Sequence, residues 1–85
     1  MQDKKRIKKE ANISVMKVND RIFFASKDVD LSKDSLTIPV QVKGAIGTVE
    51  FFFDKVIFHP ANGDDIEYAP EAIIEMAEGG DIQWG

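Results

Sequence analysis

The sequence predicts a mainly β fold with one short C-terminal helix, built as a small antiparallel sheet or a partly open barrel of about five strands. Three observations predict it. Leu36-Thr37-Ile38-Pro39-Val40-Gln41-Val42 alternates apolar and polar residues, the period of a half-buried strand. Short β-branched and aromatic runs recur along the chain between clusters of Asn, Asp, Gly and Pro, which is how strands and their turns read. Residues 71–78 alone repeat their apolar positions at helical spacing, with Pro70 ahead and Gly79-Gly80 behind, where a helix favours a proline start and a glycine stop.

In chain order, residues 1–11 are polar and basic and are expected to form an arm, helical or disordered. Residues 12–85 are expected to form a single small β-rich domain. Asn12-Ile13-Ser14-Val15-Met16-Lys17-Val18 and Arg21-Ile22-Phe23-Phe24-Ala25-Ser26 flank Asn19-Asp20, which reads as a β-hairpin. Residues 27–35 are a polar connection. In the strand over 36–42, Pro39 has no N–H, so it belongs on an edge or where no ladder bond is needed. Gly44-Ala45-Ile46-Gly47 reads as the next turn.

Residues 48–58 then read as the longest and most apolar strand. Val49, Phe51 and Phe53 share one face of it and Val56 and Phe58 the other. A β-bulge near Asp54-Lys55 would reunite the two sets; otherwise both faces need cover. His59-Pro60-Ala61-Asn62-Gly63-Asp64-Asp65 is a turn by composition. Residues 66–69 are a short strand, 70–78 the helix, and 81–85 a last short strand. The expected core is Ile13, Val15, Ile22, Phe24, Leu36, Ile38, Val40, Val42, Val49, Phe51, Phe53, Phe58, Ile73, Ile74 and Trp84.

Composition excludes several functions. With no cysteine among 85 residues, disulfides, thiolate nucleophiles and Cys-ligated zinc sites are ruled out. No apolar stretch follows the basic start, and no apolar run exceeds the four residues of Ile22-Phe23-Phe24-Ala25, so neither a signal peptide nor a membrane span is expected. The expectation is a soluble, cytoplasmic protein with no membrane partner.

Catalytic motifs are equally scarce. His59 is the one histidine, placed by composition in a surface turn, and no serine stands in a nucleophile context. Gly44 and Gly47 lack the Lys-Ser/Thr that a phosphate loop needs. Asp28, Asp30 and Ser32 resemble the opening of a calcium loop, but Lys33 stands where glycine is required and Pro39 where a bidentate glutamate is. No catalytic residue, metal site or cofactor is expected, and the protein is read as not an enzyme.

Binding is the remaining class. The net charge of −4 hides a division: residues 1–49 carry a net +4 and residues 50–85 a net −8. The preferred reading is a protein–protein interaction in which Asp64, Asp65, Glu67, Glu71, Glu75 and Glu78 present an acidic face to a basic, nucleic-acid-handling partner, as an inhibitor or regulator. On a helix, Glu71, Glu75 and Glu78 form one stripe. The first alternative is nucleic-acid binding by a small barrel through the arm residues Lys4, Lys5, Arg6, Lys8 and Lys9, with outward phenylalanines as stacking platforms. The second is self-association as a subunit of an assembly, through Phe52 and the uncharged strand that holds Ile38 and Val40. In type, though in no motif, the chain resembles small accessory or virus-encoded proteins that bind and inhibit host machinery.

Overall fold

The computed structural model describes residues 13–84; the basic arm expected over residues 1–11 lies outside them. The order of elements is β1 (Ile13–Val18), β2 (Arg21–Ser26), β3 (Leu36–Val42), β4 (Ala45–Phe51), β5 (Val56–Pro60), β6 (Ile66–Tyr68), α1 (Pro70–Glu78) and β7 (Ile82–Trp84). β1 and β2 form a two-stranded sheet, and the other strands form a five-stranded antiparallel sheet in the order β6-β5-β4-β3-β7. The larger sheet does not close, because its edges, β6 and β7, do not pair.

Two hairpins turn on left-handed residue pairs. Asn19 and Asp20 have φ of 53° and 67°, the two positive values of the turn whose twist matches its flanking strands. Lys43 and Gly44, with φ of 51° and 87°, do the same between β3 and β4. This turn lies earlier than the 44–47 segment read from composition, and Ala45, Ile46 and Gly47 belong to β4. Gly47 is a glycine for another reason. It lies opposite Pro60, and a Cβ there would stand 2.3 Å from the His59 carbonyl oxygen and 2.8 Å from the Pro60 Cα.

The long strand expected over 48–58 is two strands. The chain reverses at residues 52–55, where the Phe52 N–H donates to the Lys55 carbonyl at 2.9 Å. Phe51 then faces Val56, and Val49 faces Phe58. The reversal, not a bulge, brings both apolar sets to one side. It also places His59 and Pro60 in β5 rather than in a turn. Pro39 is accommodated by the length of β7. β3 lies inside the sheet, but β7 pairs only with Val40, Gln41 and Val42, so Pro39 falls just past its end, where no N–H is called for.

One face of the five-stranded sheet is covered. The β1–β2 hairpin delivers Ile13 and Phe24, and α1 delivers Ile73 and Met76, to a core shared with Ile38, Val40, Val42, Val49, Phe51, Val56, Phe58 and Ile82. The hairpin is tied on by the Phe24 N–H, which donates to the Phe53 carbonyl at 2.9 Å. Helix α1 leaves edge β6, touches β2, and leads to the opposite edge β7, so it crosses the covered face as a strap. Leu31, Val56, Met76 and Ile82 join the core beyond the expected set. Phe53, expected inside, is 38% exposed and stacks on Phe23 with centroids 4.6 Å apart, because it belongs to the reversal and not to a continuing strand.

Phe51→Ala removes a fully buried ring and is expected to cost about 3–5 kcal/mol, a large part of the stability of a small domain. Chemical denaturation followed by circular dichroism measures this. Gly47→Ala is expected to lower the midpoint although alanine is less costly than glycine in chain entropy. An unchanged midpoint would contradict the pairing of Gly47 with Pro60.

Candidate functional site

The opposite face of the sheet is open. Strand alternation puts Glu67 of β6, Ile57 and His59 of β5, Ile46, Thr48 and Glu50 of β4, Thr37, Pro39 and Gln41 of β3 and Gln83 of β7 on this outer side. The face divides in two. Its charged half, over β4 to β6, is organised around His59. The half over β3 and β7 carries no charge.

His59 lies opposite Thr48 and so diagonal to Glu50, which lies opposite Ile57. Its Nε2 is 3.0 Å from Glu50 Oε1, and its Nδ1 is 2.9 Å from Asp65 Oδ1, in the loop before β6. The Ser35 hydroxyl, just ahead of β3, donates to Glu50 Oε2 at 2.5 Å. Ser35, Glu50, His59 and Asp65 thus form one chain of polar contacts across the outer face, with the His59 side chain 34% exposed and that of Glu50 27%.

Two carboxylates on one imidazole favour the doubly protonated ring, since a neutral ring would turn a lone pair toward one of them. The hydrogen bond to Glu50, then that to Asp65, holds the His59 pKa above its ordinary 6.5. The Ser35 hydroxyl, then His59, holds Glu50 below its ordinary 4.5. With the ring protonated, the array is a cation between two carboxylates. Both ring nitrogens are engaged, and Ser35 donates to Glu50 rather than to His59. The geometry is that of a clasp between β5, β4 and the start of β6, not of a base poised on a nucleophile.

The sequence reading missed this array because it placed His59 in a turn. The available signal was the alternation of Val49 and Phe51 with Glu50, combined with the reversal that brings His59 beside it.

The six carboxylates expected to form one acidic face are not all together. Asp65 is engaged with His59, and Asp64 is exposed in the preceding loop. Glu71, Glu75 and Glu78 are exposed along one stripe of α1, with Ile73 and Met76 buried behind them. Glu67 and Glu71 line a cleft of about 420 Å³ with Arg21, Asp54, Lys55 and Pro70. Among the described residues, no salt bridge reaches Glu67, Glu71, Glu75 or Glu78.

The other expected sites fall as follows. Lys4, Lys5, Arg6, Lys8 and Lys9 lie outside the described residues. Ile38 and Val40 are core residues, 5% and 4% exposed, because strand alternation turns them onto the covered face; they offer no surface for self-association. Phe52 is half-buried, with the Lys55 ammonium 5.2 Å from its ring centroid. Phe24 and Phe51 are buried, whereas Phe23 stacks on Phe53 and carries the Arg21 guanidinium 5.3 Å from its ring centroid. In the 27–35 connection, Asp30 Oδ1 accepts from the Ser32 N–H at 3.1 Å and the Ser32 hydroxyl at 2.6 Å, a local turn of the kind aspartate favours. Among the described residues, no group of three or more acidic or histidine side chains converges as a metal site, and no helix is long and apolar enough to cross a membrane.

Compared with known protein families, curated proteins and solved structures, the chain shows no match to any of them.

The clasp has a pH window of definite sign. Because His59 is raised above 6.5, its contribution is complete below that value and is lost as the pH climbs through the folded-state pKa. Because Glu50 is lowered below 4.5, its contribution is present above that value and is lost as the pH falls through the folded-state pKa. The His59 ring protons, followed by NMR, are expected to titrate above pH 6.5. Glu50→Gln is expected to lower that midpoint more than Asp65→Asn does. A wild-type midpoint at or below 6.5 would mean that the clasp does not form.

Proposed function

We propose that the chain is a non-catalytic binding protein that works by protein–protein interaction, presenting the outer stripe of α1 to a basic surface of its partner. The partner class is a nucleic-acid-handling protein, which the chain inhibits or regulates by occupying ground that phosphates use.

One observation carries this reading. Glu71 and Glu75 are four residues apart and Glu75 and Glu78 three, so like charges adjoin along α1; each such pair costs about 0.2–0.5 kcal/mol. Glu78 also sits at the negative end of a helix with no basic residue in its last turn, at a further cost of about 0.3–1 kcal/mol. No ion pair among the described residues offsets these terms. A basic partner does offset them, and the arrangement speeds its approach. The spacing suits the role: the stripe spans about 10 Å of helix axis, a length over which one strand of B-DNA carries about three phosphates.

A second reading rests on a separate observation. The Arg21–Phe23–Phe53 stack and the Lys55–Phe52 pair are the ring-and-cation elements from which single-strand platforms are made. Against it, residues 13–84 carry six basic and thirteen acidic side chains, a net −7, which repels a phosphate backbone. It predicts salt-sensitive oligonucleotide binding that weakens on Phe53→Ala; no binding at low salt excludes it.

The main reading is tested by affinity capture from the native cell, followed by binding of the purified partner to the triple variant E71K/E75K/E78K. At least a tenfold loss of affinity is expected, with the thermal transition retained and with DNA competing for the wild-type complex. Unchanged affinity would remove α1 from the interface.

A further inference from the structure

We propose that two copies of the chain pair antiparallel through β7, about a two-fold axis at Gln83, and join two five-stranded sheets into one continuous sheet.

The register of β7 shows which of its backbone groups are free. The Lys43 N–H donates to the Asp81 carbonyl at 2.7 Å, and Gln83 lies opposite Gln41. Residues 81 and 83 therefore turn their bonding groups toward β3. Alternation leaves the N–H and C=O of both Ile82 and Trp84 facing away from the sheet, and no backbone bond from another element among the described residues reaches them. This set of groups matches its own copy. With the axis at Gln83, Ile82 of one copy faces Trp84 of the other, and each such pair exchanges two hydrogen bonds.

The other edges are guarded in ways this one is not. By the same alternation, β6 offers only the backbone groups of Glu67, whose side chain is charged. The Phe24 N–H of β2 is already bound to Phe53. β1 carries Lys17, and an edge lysine discourages pairing. β7 reads Ile82-Gln83-Trp84, with no charge, proline or glycine.

Charge selects a second copy as the occupant. The whole chain carries a net −4 and residues 13–84 a net −7, so like charge opposes the approach of another copy to the acidic parts of this surface. The β7 edge adjoins the uncharged half of the outer face, formed by Thr37, Pro39, Gln41, Ile46, Thr48 and Gln83. Identical acidic chains can meet there without opposing like charges. Among the described residues, the charged pair next to β7 in the register is Asp81 and Lys43, which are of opposite sign and joined through their backbones. Trp84 is half-buried in the single chain, and the Ile82 side chain of the second copy would cover part of what remains open.

Trp84 is the one tryptophan in the sequence, so the proposal carries its own reporter. Sedimentation equilibrium over a concentration series reaching about 1 mM is expected to show the mass rising from 9.5 kDa toward twice that value. Tryptophan emission is expected to shift to the blue over the same range. Gln83→Lys sets two ammonium groups face to face across the axis at a position exposed in the single chain. It is expected to hold the protein at 9.5 kDa throughout while its thermal transition persists. Gln83→Thr, uncharged and suited to a strand, is expected to keep the dimer. A wild-type protein that stays monomeric at every concentration overturns the proposal. So does a dimer that forms without a change at Trp84, or one that survives Gln83→Lys, since either would place the contact elsewhere.

Discussion

The fold turns on the ring of Phe51. It is fully buried at the end of β4, edge-on to Phe24 of the hairpin at 5.2 Å and stacked with Trp84 of β7 at 6.3 Å, and it faces Leu36 and Val56 on the two neighbouring strands. Both sheets and the C-terminal strand therefore meet at one side chain. The backbone bond from Phe24 to Phe53 fastens the same junction two residues further along. In a chain without disulfides, this concentration of aromatic contact is what a small core has in place of covalent staples.

Much of this was legible in the sequence where local chemistry and periodicity agree. Asn19-Asp20 between two apolar runs identified the first hairpin, and Pro70 with Gly79-Gly80 bounded α1. The alternation over residues 36–42 identified β3 and its inward face. Phe52 to Lys55 defeated the reading because this reversal carries no glycine or proline and its phenylalanines continue an apolar run. Taking it as a straight strand put Phe53 inside and His59 in a turn, and so concealed the Ser35–Glu50–His59–Asp65 array. That array is made across strands, and pairing of this kind has no signature in a single stretch of sequence. Ile38 and Val40 failed as interface candidates for the opposite reason: an uncharged alternating strand looks the same whether its apolar side meets solvent or a hairpin and a helix.

The molecule keeps its charges and its neutral surface apart. Its one histidine links two carboxylates of the outer face, while the glutamates of α1 project from the other side with no ion pair among the described residues to answer them. Between them, β3 and β7 show the open face uncharged residues only. Asp65 is thereby engaged within the acidic set, and the exposed potential is left to Asp64, Glu67, Glu71, Glu75 and Glu78. The acidic stripe and the uncharged edge thus occupy separate ground.

The strap formed by α1 imposes a condition of another kind, one of length. It joins opposite edges of a sheet whose four gaps span about 19 Å, and its nine residues supply about 13 Å of that; Ala69 and the 79–81 link supply the rest. Substitution along its outer stripe leaves that span alone. Insertion of a single residue would turn whatever follows by about 100°, carrying Met76 off the core and displacing the Asp81 carbonyl that receives the Lys43 N–H. The segment between Tyr68 and Ile82 is thus free in spelling along its outer stripe but fixed in count.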